Sequence, residues 1–64
     1  MARRFVVDLE GRCEEVKLPT ADATQHKIKA AGRPPEQAAR AAGLLWLNAN
    51  PGASEVEVVV EDAS

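Results

Sequence analysis

Residues 33–61 read RPPEQAARAAGLLWLNANPGASEVEVVVE, and they carry the clearest structural pattern in the chain. Pro34 and Pro35 suit the first turn of a helix, because the amide positions there have no partner within the helix. The Asn-Pro-Gly sequence at residues 50–52 cannot continue a helix. We therefore predict a helix over residues 35–48 that is followed by a turn.

The small residues of this helix predict which of its sides is buried. At about 100° per residue, one side of the helix contains mostly alanine and the opposite side is polar. The side predicted to be buried holds Ala38, Ala41, Ala42, Leu45 and Ala49, and the polar side holds Glu36, Gln37 and Arg40. Small side chains let a helix lie close to its neighbour, so we expect a sheet beneath the alanine side.

Residues 55–61 read EVEVVVE, an alternation that is typical of a strand with one buried and one solvated face. Val56, Val58 and Val60 are predicted to face the core, and only Val59 breaks the alternation. Glu55, Glu57 and Glu61 are predicted to face water. They could attract a cation loosely, but no rigid loop orders them into a metal site.

Two further strands are predicted near the N-terminus, over residues 3–9 and 14–18. Alternation assigns to their inward faces Phe5, Val7, Leu9, Val16 and Leu18. A loop over residues 10–13 would set Phe5 opposite Leu18 and Val7 opposite Val16. A two-residue turn would instead bring Glu14 onto the apolar face, so we predict the longer loop.

Residues 24–32 allow two interpretations. As a strand, they alternate between inward side chains and outward polar side chains. As a helix, they would have a capping box at Asp22 and Gln25, yet Ile28 would be the only large apolar anchor. We favour the strand, which gives a single small α+β domain over residues 1–64 with the order β-β-β-α-β. The helix would give β-β-α-α-β.

The length and charge of the chain limit its functions. It has 64 residues and a formal net charge of −2. So short a chain buries only about 60% of its unfolded surface, so a second copy or a partner could contribute to its stability. The negative charge argues against strong non-specific attraction to nucleic acid or to an anionic membrane. The single Cys13 cannot form an internal disulfide and no apolar run approaches a membrane span, so we expect a cytoplasmic setting without membrane contact.

The sequence predicts no catalytic, cofactor or metal site. Cys13 lies in a predicted turn and His26 lies on a predicted strand, and neither has a second nucleophile or base beside it. Glu14 and Glu15 are adjacent, so on a strand their side chains point to opposite faces and cannot act as a pair. We therefore expect a protein that is not an enzyme and that uses no cofactor.

Residues 32–45 have the spacing Gly-x5-Ala-x2-Ala-Ala-x2-Leu, which is similar to the closing segment of double-stranded RNA-binding domains. Those domains also place a helix after an antiparallel meander. Their basic residues at the helix start are replaced here by two prolines and Glu36, so RNA binding is not carried over. A nucleic-acid function would rely instead on a basic edge formed by Lys27, Lys29, Arg33 and Arg40.

The last turn of the predicted helix reads LLWL over residues 44–47 and is apolar on every side. Leu45 belongs to the predicted buried side and Trp46 to its border, but Leu44 and Leu47 project among polar residues. Either the chain itself covers these leucines or a partner does.

From this apolar turn we predict a non-enzymatic protein-interaction or homo-oligomerisation module that binds through Leu44, Trp46 and Leu47. The first alternative is a small RNA- or DNA-binding domain that uses the basic edge. A further alternative is an engineered fold without a natural function, because the Asn-Pro-Gly connection and the Glu/Val alternation are regularities of design. The free Cys13 is a residue that designs usually avoid.

Overall fold

The computed structural model describes residues 2–19 and 24–62 of the chain. The elements in order are β1 (Arg3–Asp8), β2 (Cys13–Val16), β3 (Gln25–Ile28), α1 (Pro35–Ala49) and β4 (Glu55–Val60). This order confirms the predicted α+β arrangement β-β-β-α-β. Gln25–Ile28 is a strand, and the alternative helix there is not formed. Asp22, which would have begun that helix, lies outside the described residues.

The strands form one four-stranded sheet in the order β2-β1-β4-β3. β1 is antiparallel to both of its neighbours, and β3 is parallel to β4. A parallel pair needs a crossover connection, and α1 supplies it by running between β3 and β4. In this strand order, the longer strands β1 and β4 occupy the centre, and the short strands β2 and β3 form the two edges.

The sheet has a helix face, which α1 covers, and a reverse face. In the pairing of β1 with β4, Phe5 lies opposite Val58 and Val7 lies opposite Val56. These four side chains are fully buried and belong to the core beneath α1. The residues between them in the sequence point to the reverse face.

Gly43 sets the closest approach between α1 and the sheet. A Cβ atom at this position would lie 2.6 Å from the Cβ of Val7, which is closer than two carbon atoms can pack. Only a glycine therefore allows the helix axis to lie so near β1. One turn away on either side, Ala39 and Leu47 are also buried.

The predicted buried side of α1 is correct for Ala38 and wrong for Leu45, which is 71% exposed. Ala41 and Ala49 are also exposed, and Ala42 is half-buried. Alanines occupy several sides of this helix, so their spacing alone does not define its rotation. The contact at Gly43 turns the helix so that Leu47, which was predicted to project among polar residues, enters the core instead.

The predicted register of the β1–β2 hairpin is wrong. Phe5 lies opposite Glu15 and Val7 lies opposite Cys13, rather than opposite Leu18 and Val16. Leu9 and Leu18, both predicted to face inward, are 62% and 78% exposed.

The turn chemistry explains this register. The Asp8 carboxylate accepts hydrogen bonds from the backbone N–H groups of Glu10 at 2.9 Å and Arg12 at 3.0 Å. Gly11 adopts a left-handed φ of 87°. The Asp8 N–H donates to the Arg12 carbonyl at 3.1 Å, which closes a loop of residues 9–11. Asparagine and aspartate favour such turns because their side chains mimic a backbone carbonyl.

β4 also departs from its predicted alternation at one position. Glu55 and Glu61 are exposed as expected, but Glu57 is 0% exposed although it lies on the reverse face. Its Oε1 atom accepts hydrogen bonds from Arg4 at 2.7 Å and from Gln25 at 3.3 Å. A buried carboxylate is stable where such partners replace its water.

Candidate functional site

The outer side of α1 carries the most exposed apolar surface of the helix. Leu44 is 37% exposed and Leu45 is 71% exposed, and Ala41 lies exposed one turn before them. Residues three and four positions apart are neighbours on a helix, so these side chains form one surface. We call Ala41, Leu44 and Leu45 the outer helix patch. Its surroundings are polar, with Gln37, Arg40 and Asn48 all exposed.

The structure does not bring the predicted interface residues Leu44, Trp46 and Leu47 onto one surface. Leu44 belongs to the outer helix patch, whereas Leu47 is 3% exposed and part of the core. Trp46 is half-buried and packs against that core. Leu45 was missed because it was assigned to the buried side. Gly43 was the sequence signal for the true rotation, since the smallest residue of a packed helix marks its closest contact.

The end of α1 is held in a defined geometry beside this patch. The side-chain amide of Asn50 donates to the Trp46 carbonyl oxygen at 2.7 Å. The backbone N–H of Asn50 donates to the Leu47 carbonyl oxygen at 3.2 Å. These bonds satisfy carbonyl groups that would otherwise lack partners at a helix end. The outer helix patch is therefore presented by a capped helix rather than by a loop.

The predicted basic edge is divided between two parts of the molecule. Lys27, Lys29 and Arg33 are exposed in and just after β3. Arg40 lies on α1 near Cys13 of β2, at the other edge of the sheet, where its charge acts on the thiol. Of the four residues of the predicted basic edge, three therefore lie on the β3 side and Arg40 lies apart from them.

Cys13 is placed as a structural residue. Burial raises the pKa of its thiol, Glu36 raises it further, and Arg40 opposes the increase. The Sγ atom donates to the Glu36 carbonyl oxygen at 3.8 Å. A cysteine is a nucleophile only as a thiolate, so this environment disfavours its reactive form.

Two ion pairs engage the two arginines of β1. Arg3 makes a two-pronged contact with Glu15, with distances of 2.8 and 2.6 Å, and its guanidinium lies 5.3 Å from the centre of the Phe5 ring. The hydrogen bonds to Glu15 raise the pKa of Arg3, and they lower the pKa of Glu15. Arg4 binds the buried Glu57. These charges hold strands together.

Two surface cavities are lined partly by side chains that already have structural partners, namely Arg3, Arg4, Glu15 and Asp8. The larger, with a volume of about 380 Å³, is lined by Ala2, Arg3, Arg4, Glu15, Val16 and Lys17. The smaller, of about 150 Å³, is lined by Val6, Asp8, Arg12, Glu14 and Glu55. In the described part of the chain, no three histidine, cysteine or acidic residues are grouped so that they could hold a metal ion.

Two further findings complete the description of the surface. Within residues 2–19 and 24–62, no helix is long and apolar enough to cross a membrane. Comparison of the chain with protein-family models, with curated proteins and with solved structures found no match.

Proposed function

We propose that this chain is a non-enzymatic protein-interaction module that self-associates through the outer helix patch. The observation that carries the proposal is the 71% exposure of Leu45 beside the 37% exposure of Leu44 on a capped helix. Adjacent exposed leucines on a small protein mark contact surfaces, because covering them removes apolar area from water.

The surroundings of the patch support an interface of this kind. Gln37, Arg40 and Asn48 are exposed around it, which supplies a polar rim to an apolar centre. A stable interface covers about 800 Å² on each partner, so the rim residues would also be in contact. Two copies of α1 packed side by side would place each patch against the other, as a two-fold dimer requires.

Sedimentation equilibrium over a range of concentrations tests the proposal. We expect the wild-type chain to dimerise, and Leu45→Glu to shift the equilibrium to the monomer while circular dichroism shows an intact fold. Leu18→Glu is the matched control, because it makes the same substitution at a leucine that is 78% exposed and lies outside α1. A monomeric wild type, or a Leu45→Glu variant that dimerises as strongly as Leu18→Glu, would refute the proposal.

Nucleic-acid binding by Lys27, Lys29, Arg33 and Arg40 stays a prediction. Its support is weaker because Arg40 lies at the other edge of the sheet from the remaining cations. Binding of RNA or DNA that weakens steeply with added salt would favour it, since phosphate contacts release counterions.

A further inference from the structure

Among the described residues, no strand pairs with the backbone groups along the outer edge of β3. On its inner side, the Thr24 carbonyl accepts from the Glu57 N–H at 3.0 Å, and the Ile28 carbonyl accepts from the Glu61 N–H at 2.9 Å. Successive residues of a strand direct their backbone groups to opposite sides. The N–H and C=O groups of Lys27 therefore point away from the sheet, and in the described residues β3 pairs only with β4.

The same edge carries cations without ionic partners. Lys27, Lys29 and Arg33 are exposed, and none of them forms an ion pair within residues 2–19 and 24–62. Lys27 lies opposite Val59 in the pairing of β3 with β4, and Val59 lies opposite Arg4. The Lys27 side chain therefore belongs to the reverse face. Ala30 is buried in the core beneath α1 and Lys29 before it is exposed, so the alternation continues to Lys29.

Lysine on an edge strand selects which strands can pair with it. It discourages neutral strands, because a lysine side chain must be desolvated when the edge is covered. It also disfavours a second β3 edge, because like charges would lie side by side. An acidic strand has the opposite effect, since each of its carboxylates would lie beside a lysine.

We propose that the β3 edge binds an extended acidic segment of a partner protein, which adds to the sheet as a further strand. The segment alternates acidic and apolar residues. Its acidic side chains lie on the reverse face beside Lys27 and Lys29, and its apolar side chains lie on the helix face beside the half-buried His26 and Ile28. This surface is separate from the outer helix patch and does not depend on it.

The inner partner of β3 already has this alternation. β4 begins Glu-Val-Glu-Val, and its Glu57 meets Gln25 of β3 on the reverse face. Val58 faces His26 across the pair, on the helix face. The outer edge of β3 presents the same alternation of faces, with lysine in place of glutamine at the next reverse-face position. A partner strand with the same alternation of acidic and apolar residues therefore matches the two faces of the β3 edge, and its carboxylates complement the lysines there.

Two other occupants fit the edge less well. A nucleic acid would use the cations but not the outward backbone groups, and the chain carries a net charge of −2. A second copy could offer its β2 edge with Glu14 and Glu15. That head-to-tail contact cannot form a two-fold dimer, however, and it would build rings or open chains of molecules instead.

Amide chemical shifts and hydrogen exchange of the full chain test the proposal. The probe is an acetylated and amidated peptide of alternating glutamate and valine, of about eight residues, the length of a long strand. We expect saturable shifts along β3 and protection of the Lys27 amide. The control peptide, with lysine in place of glutamate, should not bind. Equal binding of both peptides, or shifts confined to β2 or to α1, would overturn the proposal.

Two variants at one position separate the backbone contribution from the charge. Lys27→Gln removes the charge, and we expect it to weaken binding by up to about fivefold. Lys27→Pro also removes the outward N–H, which the sheet itself does not use, so we expect peptide binding to be lost. Similar affinities of the two variants would mean that no strand is added, and the proposal would fail.

A charge-reversal variant keeps the test decisive if Lys27→Pro does not fold. In Lys27→Glu combined with Lys29→Glu, the preference should switch to the lysine-containing peptide. Failure of that switch would contradict the proposal. A competition experiment with single-stranded RNA gives a further outcome that would contradict the proposal. If RNA displaces the acidic peptide and Lys27→Pro leaves RNA binding unchanged, the occupant of the edge is a nucleic acid. Self-association that disappears in Lys27→Pro would identify a second copy as the occupant and also exclude a partner segment.

Discussion

The inner and outer sides of α1 show that two residues of the same type can differ greatly in burial within one helix. Leu45 is 71% exposed and Leu47, two positions later, is 3% exposed. Both are leucines in the last turns of one helix, so residue type does not distinguish them. The contact of Gly43 with Val7 does, because it fixes the rotation of the helix on the sheet.

The two ion pairs of β1 show the same contrast between a buried and an exposed position on the sheet. Arg4 binds Glu57, whose side chain is fully buried in the central strand β4. Arg3 binds Glu15 on the edge strand β2, where both side chains remain accessible to water. Buried charges depend on their partners far more than exposed charges do. Position in the fold, rather than the type of interaction, therefore sets the expected cost of a substitution.

The largest effect is expected from truncating the buried leucine. Leu47→Ala should lower the free energy of unfolding by about 2–5 kcal/mol, because it leaves a cavity in the core. Leu45→Ala should change the free energy of unfolding of the monomer by no more than about 0.5 kcal/mol, because the side chain is exposed there. Urea denaturation of both variants, at concentrations low enough to keep the chain monomeric, measures the difference. Equal losses would mean that the two sides of α1 are not distinct.

The next effect is expected at the buried carboxylate. Glu57→Gln should lower the free energy of unfolding by about 1–3 kcal/mol, because Arg4 loses a charged partner and the amide cannot reproduce every hydrogen bond. Glu15→Gln is the matched control at the edge and should have a much smaller effect. The contrast between centre and edge would not hold if thermal unfolding gave both variants the same stability.

A smaller effect is expected at the helix–sheet contact. Gly43→Ala should be destabilising by up to about 2 kcal/mol, because overpacking against Val7 costs about 1–3 kcal/mol and the better helix propensity of alanine returns up to about 1 kcal/mol. On the outer side, Ala41→Gly should cost the monomer about 0.5–1 kcal/mol, which reports helix propensity alone because Ala41 is exposed there. A stabilising Gly43→Ala, measured by urea denaturation, would show that the helix lies further from β1.

The smallest effect concerns pH. The pKa of Glu15 is lowered in the folded chain by the hydrogen bonds from Arg3. Its contribution to stability is therefore present above its unfolded pKa, which is about 4.3, and is lost as the pH falls through the lower folded value. The stability difference between wild type and Glu15→Gln should disappear at low pH and shrink in high salt. A difference that grew on acidification would reverse this assignment.

Local patterns predicted the elements of the fold well. The two prolines and the Asn-Pro-Gly turn delimit α1, and alternation identified β3 and β4 as strands. These signals depend on residues that are close together in the sequence, so they do not require contacts with distant parts of the chain. They also led to the prediction of an interface at the apolar helix end, but that prediction included Leu47, which is buried, and left out Leu45, which is exposed.

The rotation of α1, the hairpin register and the burial of Glu57 required the assembled molecule. An alanine-rich helix has several similar sides, and only the meeting of Gly43 with Val7 selects one. The hairpin register follows from the Asp8 hydrogen bonds, which compete with the apolar pattern. Glu57 is buried because Arg4 of β1 and Gln25 of β3 converge on it from distant parts of the chain. Contacts between remote residues carry no local signature, so residue spacing could predict the elements but not the way their faces meet.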